Sequence, residues 1–221
     1  MRWVGAIVAW GLAIGAFGVE AHAASASGQD VSVLSDEERD ALLAGHTVSR
    51  PLRFERGTGS YVGGVSYQIV EVPASAVYEV LAEERRLPDV LPNTHSVRWV
   101  GRHGRLRCVE ISQGTRLVRA TYTVCLEHDR PAGLIRFWLD PSRPHGIRDV
   151  WGYFRVEPLG AERSLVTVAV ALDLGPGLVR LVFEDAVQAL ALSTPRYIRD
   201  YVEPRRPWEA GHRSSGLSWD R

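Results

Sequence analysis

The stretch 173-DLGPGLVRLVFEDAVQALALSTPRYIRDYV-202 decides how the rest of the chain is read. Val179, Val182, Phe183, Ala186, Val187, Leu190, Tyr197, Ile198 and Tyr201 recur at helical spacing on one broad side. Arg180, Glu184, Asp185, Gln188 and Arg199 fall elsewhere. Pro195 lacks an amide proton, which predicts a bend between Ala191 and Thr194. A helix apolar over nearly half its circumference has to be covered by another element.

The preceding chain supplies that cover. Extended segments are predicted at Tyr61–Val72, Ser96–Gly101, Leu106–Ser112, Leu117–Glu127, Leu134–Leu139, Ile147–Glu157 and Ser164–Asp173. A helix over "PASAVYEVLAEERRL", starting after Pro73 with Val77, Val80 and Leu81 on one side, separates the first two. Short turns such as "GRHGR", "QGT" and "PLGAERS" join most of the others. Without crossover helices between them, the strands must form an antiparallel sheet. One face of that sheet is apolar. Val150, Phe154 and Val156, then Val166, Val168, Val170 and Leu172, and in the fourth strand Val118, Ala120, Tyr122, Val124 and Leu126, alternate with polar or amphipathic residues.

The third strand is the exception. A hairpin centred on Thr115 puts Leu106, Cys108 and Glu110 on the apolar face. Glu110 then has two readings, a carboxylate paired with an arginine at the edge or cavity mouth, and a polar handle for a ligand. The same register places Cys108 opposite Tyr122, with Cys125 three residues on and facing the other way. Shifting the centre by half a residue restores a common face but leaves the cysteines about 13 Å apart, so two free thiols are expected.

The 221 residues, 45% of them hydrophobic, are enough for one domain with a real core. The 26 basic residues are all arginine and balance 26 acidic ones. No basic stripe forms, so nothing favours nucleic acid or an anionic partner. Residues 1–23 carry Arg2, an uncharged apolar run from Trp3 to Val19 and a small-x-small "AHA" before Ala24, which reads as a cleavable signal peptide. An uncleaved membrane anchor is the rival reading, weakened by four glycines and Glu20. The mature protein is then exported, periplasmic or secreted. Residues 24–60 form an extension in which "LSDEERDALLAG" is a short helix, with Ser35 and Glu38 in capping-box spacing. Residues 204–221, rich in Pro, Gly, Ser and charge, are expected to be a disordered tail, with Trp208 and Trp219 as potential partner anchors.

Catalytic constellations are weak. The seven histidines make no HxxxH or HExxH, there is no CxxC, and "GTGSYVGG" precedes a strand where a phosphate loop needs a helix. No metal or cofactor is indicated. Glu110, Tyr122 and Asp149 offer the only cavity acid–base set for an enzyme.

Two passages carry a family resemblance. "VPASAVYEVLAEERRLPDVLPNTHSVRWV" resembles the opening strand–helix–LP–strand passage of the START-like helix-grip superfamily, whose members include polyketide cyclase-like and coenzyme Q-binding proteins. "GYFRVEPLGAERSLVTVAVALDLGPGL" resembles its G-x-W-x-hydrophobic-x-P strand, hairpin and lead into the last helix, with Phe154 where tryptophan is common. The resemblance covers residues 61–203 and implies an α+β helix-grip fold, a curved antiparallel sheet of about seven strands wrapped around the long C-terminal helix. It implies a hydrophobic ligand such as a lipid, quinone or polyketide held between them, with transient membrane contact for exchange and enzymes a minority. Cavity residues are then expected at Glu110, Tyr122, Val124, Phe137, Phe154, Val168, Phe183, Val187 and Leu190. A carrier requires an apolar pocket with few polar groups, and a cyclase or aromatase requires several convergent titratable groups. An interaction module has a filled core.

Overall fold

The computed structural model describes residues 34–115 and 119–203. The chain forms two compact units, residues 1–35 and 36–221, and every helix and strand described belongs to the second. The signal segment, Val118 and the C-terminal tail with Trp208 and Trp219 lie outside the described residues, as does the side chain of Val179.

Helix α1 (Asp36–Leu43) leads into strands β1 (Val48–Arg56) and β2 (Gly59–Val70). Helix α2 (Ala74–Ala82), a 3-10 turn (Glu84–Arg86) and the short α3 (Leu87–Val90) follow. Then come β3 (Thr94–His103), β4 (Leu106–Gly114), β5 (Arg119–Asp129), β6 (Leu134–Leu139), β7 (Asp149–Pro158) and β8 (Ser164–Asp173), before α4 (Leu178–Leu192) and α5 (Thr194–Val202). The strands make one antiparallel sheet in the order β1-β2-β8-β7-β6-β5-β4-β3. This is the helix-grip α+β fold, with eight strands where about seven were expected. The added strand is β1, whose sequence VSRPLRFER hides it. It carries Pro51 and three arginines, is mostly exposed, and sits at a sheet edge, where proline and charge are tolerated and alternation is blurred.

The C-terminal helix breaks where Pro195 predicts. The α4 helix stops at Leu192, Ser193 intervenes, and α5 begins at Thr194 with the proline in its first turn, where the missing amide costs nothing. The carbonyls freed at the break are taken by side chains: Ser193 Oγ donates to Leu190 O at 2.6 Å and Thr194 Oγ1 to Ala191 O at 2.7 Å. The bend lets α5 pack on β2 and β8 while α4 follows β2 and β1.

The helix face differs from expectation at several positions, Tyr201 (40% exposed) and Ala186 among them. Val182 is 67% exposed, while Gln188, expected on the polar side, is only 7% exposed. Its Nε2 donates to Gly63 O at 2.8 Å and to Leu52 O at 3.1 Å. Beside it, Arg53 of β1 donates to Asp185 and, at 3.1 Å, to Gln188 Oε1. The polar flank of α4 therefore fastens the helix to the β1–β2 edge. In β2, Gly63 and Gly64 have φ of 150° and 139°. A Cβ at either would stand about 2 Å from a neighbouring strand's carbonyl oxygen, 1.9 Å from Val170 O and 2.1 Å from Arg50 O.

The β4–β5 hairpin corrects two expectations at once. Gly114 pairs with Arg119, so the connection is residues 115–118, and Cys108 pairs with Cys125, joined by a disulfide. Neither cysteine is left as a free thiol. The strand runs past the apparent QGT turn because β3 holds it: Gly114 N donates to Asn93 O at 2.9 Å, and the ring of His95 bonds Gly114 O at 2.9 Å. A centre displaced by one and a half residues exchanges the two faces of β4. Val109, Ile111 and Gln113 then turn inward and Cys108, Glu110 and Ser112 outward. Glu110 therefore leaves the apolar face and pairs on the outside with Arg98 at 2.9 Å.

Candidate functional site

The inward faces of β4 to β8 curve under α4 and leave a cavity of about 450 Å³. Its floor comes from alternate strand residues: Ile111, Tyr122, Val124, Leu126, Ile135, Phe137, Val150, Phe154, Val168 and Val170. Its roof is the α4 row Phe183, Ala186, Val187 and Leu190, which recurs every three or four residues. Eight of the nine residues proposed from the sequence, Tyr122, Val124, Phe137, Phe154, Val168, Phe183, Val187 and Leu190, stand on this lining; Glu110 does not. The ring of Phe137 reaches inward because Gly152 of β7 faces it. A Cβ there would sit 2.7 Å from the ring, and the space lets Phe137 meet Phe154 at 5.3 Å between centroids.

The polar groups gather at one end. Tyr122 donates its hydroxyl to Gln113 Oε1 at 2.7 Å, and Gln113 Nε2 donates to Pro92 O at 2.7 Å, so the two bonds set the orientation of the amide. Asn93, with φ of 52°, closes the turn between α3 and β3 beside them, and Thr115 lies on the same rim. Burial raises the ionisation of the Tyr122 phenol far above its ordinary range, so it stays a neutral donor. Among the described lining residues it is the only ionisable one; no Asp, Glu, His or Arg stands there. Asp149 is engaged elsewhere, accepting from Tyr61 at 2.7 Å beside an aromatic group formed by Phe54, Tyr61 and Trp151. The acid–base set of Glu110, Tyr122 and Asp149 is thus not brought together.

Gln113 and the α3–β3 turn were missed by sequence reasoning because the hairpin register was displaced. With Ile111 recognised as inward, Gln113 two residues on would have followed.

This combination of a curved antiparallel sheet, a bent C-terminal helix and an apolar space between them defines a helix-grip domain. The family described as polyketide cyclase / dehydrase and lipid transport matches residues 64–193, more than half of the chain, and the chain belongs to it. Solved structures of several proteins share its fold. A STAR-related lipid transfer protein of Xanthomonas axonopodis superposes with a TM-score of 0.54 at 11% identity, over 68% of this chain and 97% of the other. A protein of Thermus thermophilus gives 0.52 at 17%, over 61% and 89%. The di-domain aromatase/cyclase BexL of the BE-7585A biosynthetic pathway gives 0.50 at 26%, over 63% of this chain and 45% of that one, so the present chain spans less than half of BexL. Comparison with curated protein sequences finds no match.

Proposed function

We propose that the protein binds a hydrophobic small molecule in this cavity and carries or stores it without converting it. The observation that supports this reading is the lining itself. A volume of about 450 Å³ walled by aliphatic and aromatic side chains matches a ligand pocket in size and character, and its one ionisable group is a tyrosine held neutral. A cyclase would need groups able to exchange protons near neutral pH, and the described lining offers none. Likeness to the aromatase/cyclase BexL keeps that alternative as the runner-up. The polar end sharpens the ligand class. Tyr122 and Gln113 offer hydrogen bonds but no countercharge, which favours an uncharged ligand with one hydroxyl or carbonyl, such as a quinone or a neutral lipid, over a carboxylate or phosphate.

Export is part of the proposal. Its support is the apolar N-terminal run before AHA and the Cys108–Cys125 disulfide, a bond that persists in oxidising compartments. Transient membrane contact would serve ligand exchange; among the described residues no helix is long and apolar enough to cross a membrane. The test is mass spectrometry of material extracted from the purified mature chain. A stoichiometric neutral apolar molecule is expected. Turnover of an added polyketide-like substrate would replace carriage with catalysis.

A further inference from the structure

On the outer face of the sheet, away from the cavity, four potential metal ligands converge. They are His103 at the end of β3, Cys108 of β4, Cys125 of β5 and Asp140 just past β6. One donor atom from each lies within 4.8 Å of every other. The two sulfurs and the carboxylate are buried, and the imidazole stands exposed at the rim. No spacing motif announces them because each comes from a different strand or the residue after one; only the sheet order β6-β5-β4-β3 brings them together.

The carboxylate is held in a manner suited to ligation. Asp140 is 6% exposed, and its Oδ1 accepts from Ser142 N at 3.1 Å and Ser142 Oγ at 2.6 Å. Its Oδ2 is buried and accepts no hydrogen bond, with Arg143 Nε at 3.3 Å. That arginine side chain is 39% exposed and free to swing into solvent. Once the disulfide is reduced, two thiolates, one imidazole and one carboxylate would make up a donor set of the kind zinc takes.

We propose that the reduced chain binds one zinc ion between His103, Cys108, Cys125 and Asp140, and that disulfide formation expels it. Donors now within 4.8 Å need only draw in to the roughly 3.8 Å that separates sulfurs bound about 2.3 Å from one ion, while the sulfurs part from bonding contact. The chemistry balances. A phosphine reductant and water convert the disulfide to two thiols and phosphine oxide, and the ion then displaces both thiol protons. A small-molecule disulfide such as glutathione disulfide takes two electrons from the two thiolates and two protons from solvent, leaving as two thiols while the protein disulfide closes and the ion departs. The disulfide form and the ion-bound form exclude one another, so the site reports the redox state of its surroundings and is independent of what fills the cavity.

The full chain, reduced with a phosphine under anaerobic conditions, is titrated with Co²⁺ as a spectroscopic stand-in for zinc. One equivalent is expected to give the charge-transfer and visible bands of tetrahedral thiolate-bound cobalt, displaced by zinc and abolished by glutathione disulfide. Asp140→Asn and His103→Ala should each weaken binding about a hundred-fold or more, beyond the roughly ten- to hundred-fold loss of an outer-shell partner. Circular dichroism of each variant accompanies its titration. Binding by the reduced wild type no tighter than by the Cys108→Ser/Cys125→Ser chain overturns the proposal, as does unchanged affinity in both single variants. If reduction alone unfolds the chain, recovery of the fold with one equivalent of zinc supports the site, and failure to recover overturns it.

Discussion

Beneath one continuous sheet the protein has two interiors. Toward α2, α3 and α5, Val70, Val77, Val90, Val166 and Ile198 are fully buried at 0% exposure and stand off the cavity, whose end is reached from these helices by Leu81, Leu87 and Thr194. Toward α4 the same alternation of strand residues faces Phe183, Val187 and Leu190 across about 450 Å³. The residue types are alike on both sides; the difference lies in how the helix is attached. The α5 helix is seated by apolar packing of Ile198 against the core cluster. The α4 helix is fastened at its flank by Gln188 and Arg53 to the β1–β2 edge, which holds it across the sheet without pressing its apolar row onto the floor. A polar clamp at the edge can thus keep an apolar cavity open.

Truncations on the two sides should separate most widely. Ile198→Ala empties a filled site and is expected to cost the full ~2 to 5 kcal/mol of a packed core in urea unfolding. Leu190→Ala or Phe183→Ala enlarges a space that already exists and should fall at or below the low end of that range in the ligand-free chain. Equal losses on both sides would break the comparison. Next in size is the clamp. Gln188→Ala removes the donor from two carbonyls, Gly63 O and Leu52 O, and should cost about 1 to 3 kcal/mol while loosening α4, read as faster amide exchange along the helix than in α5. The smallest effect belongs to Glu110→Gln. Its carboxylate pairs with a largely exposed Arg98 outside the sheet, so both stability, within about 0.5 kcal/mol, and probe affinity should stay near wild type. A marked drop in affinity would return Glu110 to the cavity and reverse the assigned faces of β4.

That reversal also shows how far the sequence could be read. Strands β6 and β8 were legible to the residue because they are regular and bounded by turn residues. The bend at Pro195 followed from a missing amide. The apolar face of β5, β7 and β8 followed from alternation, although Val156 and Val166 on it do not line the cavity. What failed was register: the QGT triplet looks like a turn, yet Gly114 is held in the strand by Asn93 and His95, contacts formed across a sheet and invisible along the chain. One displaced hairpin turned Glu110 inward, hid Gln113 and separated Cys108 from Cys125. The edge strand β1 escaped for a related reason, since its arginines and Pro51 satisfy the needs of a sheet edge and erase the pattern that would mark it. The clamp by Gln188 could not be read either, because a glutamine on a helix looks solvated until the carbonyls of Gly63 and Leu52 are placed opposite it.

The central claim is that the space beneath α4 takes up an apolar molecule. The most direct measurement is equilibrium titration of the ligand-free chain with a fluorescent, uncharged quinone analogue, with Val187→Trp alongside. Val187 faces the cavity from the helix roof, so an indole there fills the space without displacing a packed neighbour. Saturable one-to-one binding by the wild type, lost in Val187→Trp while its unfolding midpoint is maintained or raised, is the predicted result. Absence of saturable binding by the wild type, or binding undiminished in Val187→Trp, would contradict it.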